Sequence, residues 1–197
     1  VDLLTRPVLG FSSLAAIAAF MASAALMVAL PFRFQQGFGY SPSEVGLLLL
    51  PYPLTMLVIS PTAGWLSDRI DATKLGVTGM FIAIVGLGLL ALMDSDPGPV
   101  GIAWRLGVAA FGFALFFSPN SRLIIGRAPK SRAAAAGGLL STSRLLGQTL
   151  GAVMIGILLA GGLGLGPLPM TFAAVLAAVA AVCSMVRFRA LKRGPAP

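Results

Sequence analysis

The sequence predicts an all-α membrane protein of six transmembrane helices, and three observations carry that reading. The chain of 197 residues is 57% hydrophobic and only 10% charged, with a mean hydropathy of +0.95. A soluble domain carries about 25% charged residues, so a water-soluble globule of this size would leave far too much apolar surface uncovered. Second, six apolar runs approach the roughly 20 residues a helix needs to cross a hydrocarbon core. Third, the basic residues collect at alternate connections between those runs, the pattern that orients helices in a bilayer.

The first helix is expected over about 8–30, interrupted only by Ser12, Ser13 and Ser23. It is too long for the apolar stretch of a cleaved leader. Pro31 is expected to end it, with Phe32–Tyr40 as an interfacial turn whose aromatic residues suit the membrane boundary. Ser41-Pro42-Ser43-Glu44 then reads as a helix start: Ser at the N-cap, Pro at the first position and an acid in the first turn. The second helix is expected over about 44–65, bent by Pro51, Pro53 and Pro61. The third, about 75–93, is rich in glycines that let neighbouring helices approach closely. Asp94–Pro99 reads as a turn. The fourth helix is expected over about 100–117, and Ser118–Arg132 is the longest polar connection. The fifth covers about 133–160, the sixth about 167–186, and 187–197 is a basic tail. The chain opens on Val1 rather than Met, as expected of a fragment, a processed product or an expressed piece.

Eleven basic residues, among them Arg6, Arg69, Lys74, Arg122 and Arg187, fall on one set of helix ends, and Arg33 alone falls on the other. This split puts both termini in the cytoplasm of a multi-pass cell-membrane protein. It also accounts for the net charge of +8 better than nucleic-acid binding does, because the basic residues lie between apolar runs rather than on one polar face. The absence of His excludes imidazole chemistry and His metal ligation. The single Cys183 excludes an intrachain disulfide, and no metal centre or cofactor is expected.

Polar groups inside the spans are the candidate sites. An Arg at mid-bilayer costs about 2.5–3.5 kcal/mol on insertion scales and usually faces a polar interior. Arg144 lies deep in the fifth helix, while Arg105 sits nearer the end of the fourth, where its long side chain reaches the interface. Arg144, Gln148 and Gly151 share one side of their helix at three- and four-residue steps, and Arg105, Gly112 and Phe116 share a face of theirs. Such faces make either an apolar cavity with a few polar groups or a packed seam of glycine contacts. No span contains an embedded carboxylate, which a proton-coupled carrier generally uses.

The connection between the second and third helices reads Gly64-Trp65-Leu66-Ser67-Asp68-Arg69-Ile70-Asp71. It resembles the loop motif G-x-L-(S/A)-D-R-x-G-(R/K) of the major facilitator superfamily. Asp71 stands where the motif has Gly, and Lys74 comes slightly late. Pro31-Phe32, Gly39-Tyr40-Ser41-Pro42 and Arg144-Leu145-Leu146-Gly147-Gln148-Thr149-Leu150-Gly151 are similar to the C-terminal half of fourteen-span multidrug:proton antiporters. The resemblance covers nearly the whole chain. It implies one six-helix half built as 3+3 inverted repeats, in which the first and fourth helices line a central path. It implies that Gly64, Asp68 and Arg69 form a conformational latch against an opposite half, and that Arg105, Phe116, Arg144 and Gln148 lie along the path. The partners implied are a small lipophilic substrate, protons, the N-terminal half and the bilayer.

The expected function is therefore the C-terminal half of a proton-coupled exporter, with the coupling acid in the other half. The rival expectation is a stand-alone six-helix protein that pairs with another half or with a second copy and does not transport. An intramembrane enzyme has no support, for want of His, an embedded carboxylate pair or a recognisable nucleophile pair.

Overall fold

The computed structural model describes residues 7–93 and 97–193. Its helices are α1 (Pro7–Phe32), α2 (Pro42–Leu49), α3 (Pro51–Leu66), α4 (Ala72–Ala91), α5 (Gly98–Gly126), α6 (Ala133–Ala160) and α7 (Leu168–Arg193). α2 and α3 together make one span, so six segments are long and apolar enough to cross a membrane among the described residues. The turn expected at Asp94–Asp96 lies outside them, as do Arg6 and the last four residues of the tail.

Several boundaries differ from the sequence reading, each for a local reason. Pro31 does not end α1. The helix runs on through Phe32 into a π turn over Arg33–Gly37, closed by the Phe38 amide donating to the Arg33 carbonyl at 3.1 Å. Proline lacks the amide that would continue the α ladder, and the wider turn absorbs the defect. The second span is broken, as its prolines suggest. Leu50 donates back three residues to Leu47 at 3.2 Å, because Pro51 has no N–H for the same carbonyl. The start of α2 carries the full capping box, with the Ser41 hydroxyl accepting from the Glu44 amide while the Glu44 carboxylate accepts from the Ser41 amide. α5 continues nine residues past Phe117, to Gly126, so most of the expected polar connection is helix. Pro119 lies inside it, with Asn120 buried beside it. α7 likewise absorbs the start of the expected basic tail, Arg187 included.

The main packing partners are α4 with α5, α1 with α7, α1 with α6, α3 with α5, and α4 with α7. Exchanging α1 with α5, α3 with α6 and α4 with α7 leaves this set unchanged. Each unit of three spans crosses an odd number of times, so the second unit starts from the opposite side and is inverted relative to the first.

Small residues close these seams. In lipid no hydrophobic force draws helices together, and association rests on close van der Waals packing. A Cβ on Gly86 would lie 2.5 Å from the Ala109 amide nitrogen, and one on Gly79 would lie 2.7 Å from the Gly112 carbonyl. On the other side, Gly147 and Gly151 ride over the Ile17 and Met21 carbonyls of α1, which also turns its alanines at 15, 18, 19, 22, 25 and 29 into the core.

α3 and α6 are the thinly covered helices. Leu54, Leu57 and Val58 on α3, and Leu145, Leu150 and Val153 on α6, are exposed.

Candidate functional site: the charged loop and the polar groups of the spans

The loop between α3 and α4 is tied to the far end of α5. Asp68 pairs with Arg122, and the same guanidinium donates from Nη1 to the Gly64 carbonyl at 2.9 Å and to Ser67 Oγ at 3.2 Å. Ser67 in turn donates to Gly64 at 2.7 Å. Gly64 lacks a side chain where α5 passes closest; a Cβ there would lie 3.1 Å from Ser118 Oγ. The hydrogen-bonded Arg122 guanidinium holds the Asp68 carboxyl below the usual carboxylate range. Half of each side chain stays exposed, 55% for Asp68 and 51% for Arg122. Arg69 turns away and stacks its guanidinium over Trp65, 3.9 Å from the ring centre. Asp71 caps α4, accepting from the Thr73 amide at 2.8 Å and the Lys74 amide at 3.3 Å. An Asp in place of the motif's Gly thus begins the next helix without a glycine turn.

The four residues expected along a path do not gather in one place. Phe116 is fully buried beside Gly76 of α4, so the face it shares with Gly112 is a packed helix seam and not an open surface. The glycines of α4 bring α5 into direct contact at this level. Its neighbour Phe117 is half-buried instead and stacks on Phe20 of α1 at 4.2 Å and on Phe113 at 5.7 Å. Tyr52 of α3 joins this aromatic cluster and shares a 2.6 Å hydrogen bond with Ser23 of α1. Arg105 is half-buried, donates to the Gly101 carbonyl at 2.8 Å and lies over the Trp104 ring at 4.7 Å. Arg144 and Gln148 are exposed, and neither makes a side-chain hydrogen bond or ion pair among the described residues. Gly151, on the same side of α6, is buried in the seam with α1 against Met21 and Ala24.

Two buried arginines escaped sequence reading. Arg33, on the π turn, donates to the Leu90 and Met93 carbonyls at 2.8 and 2.9 Å and so caps the C-terminus of α4. Arg187 is fully buried and donates to Asn120 Oδ1 at 2.6 Å and Ser12 Oγ at 2.9 Å. Asn120 donates in turn to the Ser12 carbonyl at 3.2 Å, which joins α1, α5 and α7 in one polar knot. Ser184, one turn before Arg187, was the only local hint that this basic residue faces inward.

The family model for the Major Facilitator Superfamily matches residues 12–197. The chain belongs to the major facilitator superfamily. It is 40% identical over 183 residues to the uncharacterized transporter YebQ of Escherichia coli K12, covering 93% of this chain and 40% of that protein. It is 31% identical over 135 residues to the multidrug resistance protein Stp of Mycobacterium tuberculosis, covering 68% of this chain and 25% of Stp. Over the same share of this chain it is 28% identical to the multidrug export protein EmrB of E. coli, of which it covers 26%. The chain thus spans less than half of each of these relatives. As a major facilitator chain it is a multi-pass cell-membrane protein of the transporter class and not an enzyme.

Proposed function

We propose that this chain is one half of a proton-coupled exporter of lipophilic small molecules working by alternating access, its partner being a second bundle that covers α3 and α6. The observation that carries this is Arg144. It lies eleven residues into α6, about 16 Å along the helix axis, and is exposed among Leu145, Leu146 and Leu150, with Thr142 and Thr149 exposed nearby. Facing lipid there would cost the several kcal/mol of an embedded charge, so a polar or watered surface must meet it. Gln148, one turn on, presents its amide to the same side. The aromatic cluster of Phe20, Phe117 and Tyr52 between α1, α3 and α5 supplies flat apolar surface of the sort lipophilic ligands use. Relatives named for multidrug resistance and export favour this substrate class.

In the same reading both termini are cytoplasmic, and Asp68 and Arg69 latch one access state. The exposed edge of Asp68 is free to meet a helix end of the partner bundle while Arg122 holds the loop in place. The coupling acid lies outside this chain, since the described spans hold no carboxylate deeper than Glu44 at the start of α2.

Cells making the chain together with a complementing amino-terminal bundle should accumulate less of a fluorescent lipophilic dye, and an uncoupler should abolish the difference. Cells making the chain alone should show no export. Robust uncoupler-sensitive export by the chain alone would overturn the half-transporter reading. A stable complex of two copies with no export in any pairing would favour the rival, a non-transporting assembly.

A further inference from the structure

The outer face of α4 changes character along its length. Near its N-terminus a hollow of about 370 Å³ lies between α4 and α7, lined by Thr73, Lys74, Val77 and Thr78 from one helix and by Met185 and Phe188 from the other. A second hollow, of about 290 Å³, starts at the same Thr78 and continues over Phe81, Ile82 and Val85. Positions 74, 78, 81 and 85 follow three- and four-residue steps, so they lie along one side of the helix and the two hollows make one furrow.

Its length and polarity match one kind of occupant. From Lys74 to Val85 the helix rises about 16 Å, roughly half of a hydrocarbon core of about 30 Å, which is one leaflet. The deep end is bare and apolar, with Phe81 52% and Val85 57% exposed. The shallow end carries the exposed Lys74 and the Thr78 hydroxyl, with exposed Arg189 next to Phe188 on α7. The acid at this end, Asp71, is turned onto the Thr73 and Lys74 amides, and Lys74 makes no ion pair among the described residues.

We propose that this furrow binds an anionic phospholipid, with the headgroup phosphate against Lys74 and one acyl chain laid along α4 as far as Val85. A juxtamembrane lysine favours anionic over zwitterionic headgroups, and the furrow below it removes a chain's methylenes from disordered lipid into a fixed apolar channel. No residue of α3 or α6 lines the furrow, although its Ile82 also borders the hollow beside Leu54 and Val58 of α3, so the site stands independently of the half-transporter reading.

Native mass spectrometry of the purified chain tests it, with phosphatidylglycerol and phosphatidylcholine of identical acyl chains offered in detergent. The chain should retain phosphatidylglycerol preferentially. Lys74→Gln should reduce that preference about five-fold with phosphatidylcholine binding unchanged, whereas Lys74→Arg should keep it. Arg127→Gln, which removes an exposed charge at the far end of α5, should leave it intact. Thr78→Trp, which fills the furrow, should lower retention of both lipids. An undiminished preference in Lys74→Gln, an equal loss in Arg127→Gln, or full retention in Thr78→Trp would each overturn the proposal.

Discussion

Gly86 and Gly88 sit two residues apart in α4, and replacing each with Ala should move stability in opposite directions. At Gly86 the added Cβ would meet backbone: 2.5 Å from the Ala109 nitrogen, 2.6 Å from its Cα and 2.9 Å from its Cβ. Restoring ordinary contact at about 3.5 Å requires α4 and α5 to part by about 1 Å, and a gap of that size forfeits a quarter to a half of each neighbouring contact's attraction. Overpacking of this kind costs about 1–3 kcal/mol, and at a seam made of backbone no flexible side chain is available to yield. At Gly88 nothing lies within 4 Å, so Ala there only removes the glycine penalty in a helix interior, a gain of about 0.5–1 kcal/mol. Unfolding of the two variants in mixed micelles, followed by circular dichroism against an SDS titration, should place Gly86→Ala about 2 kcal/mol or more below Gly88→Ala. Equal stability of the pair would refute the argument that glycine contacts between α4 and α5 hold the bundle.

Further outcomes follow from the buried and paired charges. Asn120→Leu should destabilise by about 2–3 kcal/mol in the same titration, because it strips a charged hydrogen bond from Arg187 inside the bundle. Arg187→Met should cost less, since it removes the charge together with its desolvation. Arg33→Ala should destabilise by about 3 kcal/mol by uncapping the Leu90 and Met93 carbonyls, and Arg33→Lys should recover part of that because one ammonium does not reproduce the two-nitrogen fork. Asp68 is held below its ordinary value by Arg122, so the pair is fully formed above the unfolded carboxylate's value and is lost only as pH falls through the lower folded one. Hydrogen exchange of the 67–71 loop, corrected for the intrinsic pH dependence, should therefore be constant from about pH 5 to 8. Asp68→Asn should raise it throughout that range, leave the bundle folded, and impair export once the chain is paired with its other half.

What was readable from the chain was what one-dimensional patterns encode. Apolar runs of bilayer length, the Ser41–Glu44 cap and the proline break at Leu50–Pro51 are local, and their cause lies within a few residues. The loop around Asp68 was legible for the same reason, because its residues are adjacent in sequence. Its partner was not. Arg122 reaches Gly64 and Asp68 from α5, more than fifty positions away, and only the packing of α3 on α5 brings them together.

The direction in which each side chain faces was also left open by periodicity. Phe116 and Phe117 are equally aromatic and adjacent; 100° of helical rotation buries one beside Gly76 and leaves the other beside Phe20. Arg187 reads as the first residue of a basic tail, yet it ends fully buried because Asn120 and Ser12, from helices far apart in sequence, offer it oxygens there. Composition and run length sufficed to determine that the chain crosses the membrane six times, since the cost of exposing backbone and charge to lipid depends on residue type alone. Which charges are inside and which stay exposed was decided by helix packing, since it depends on neighbours supplied by other helices.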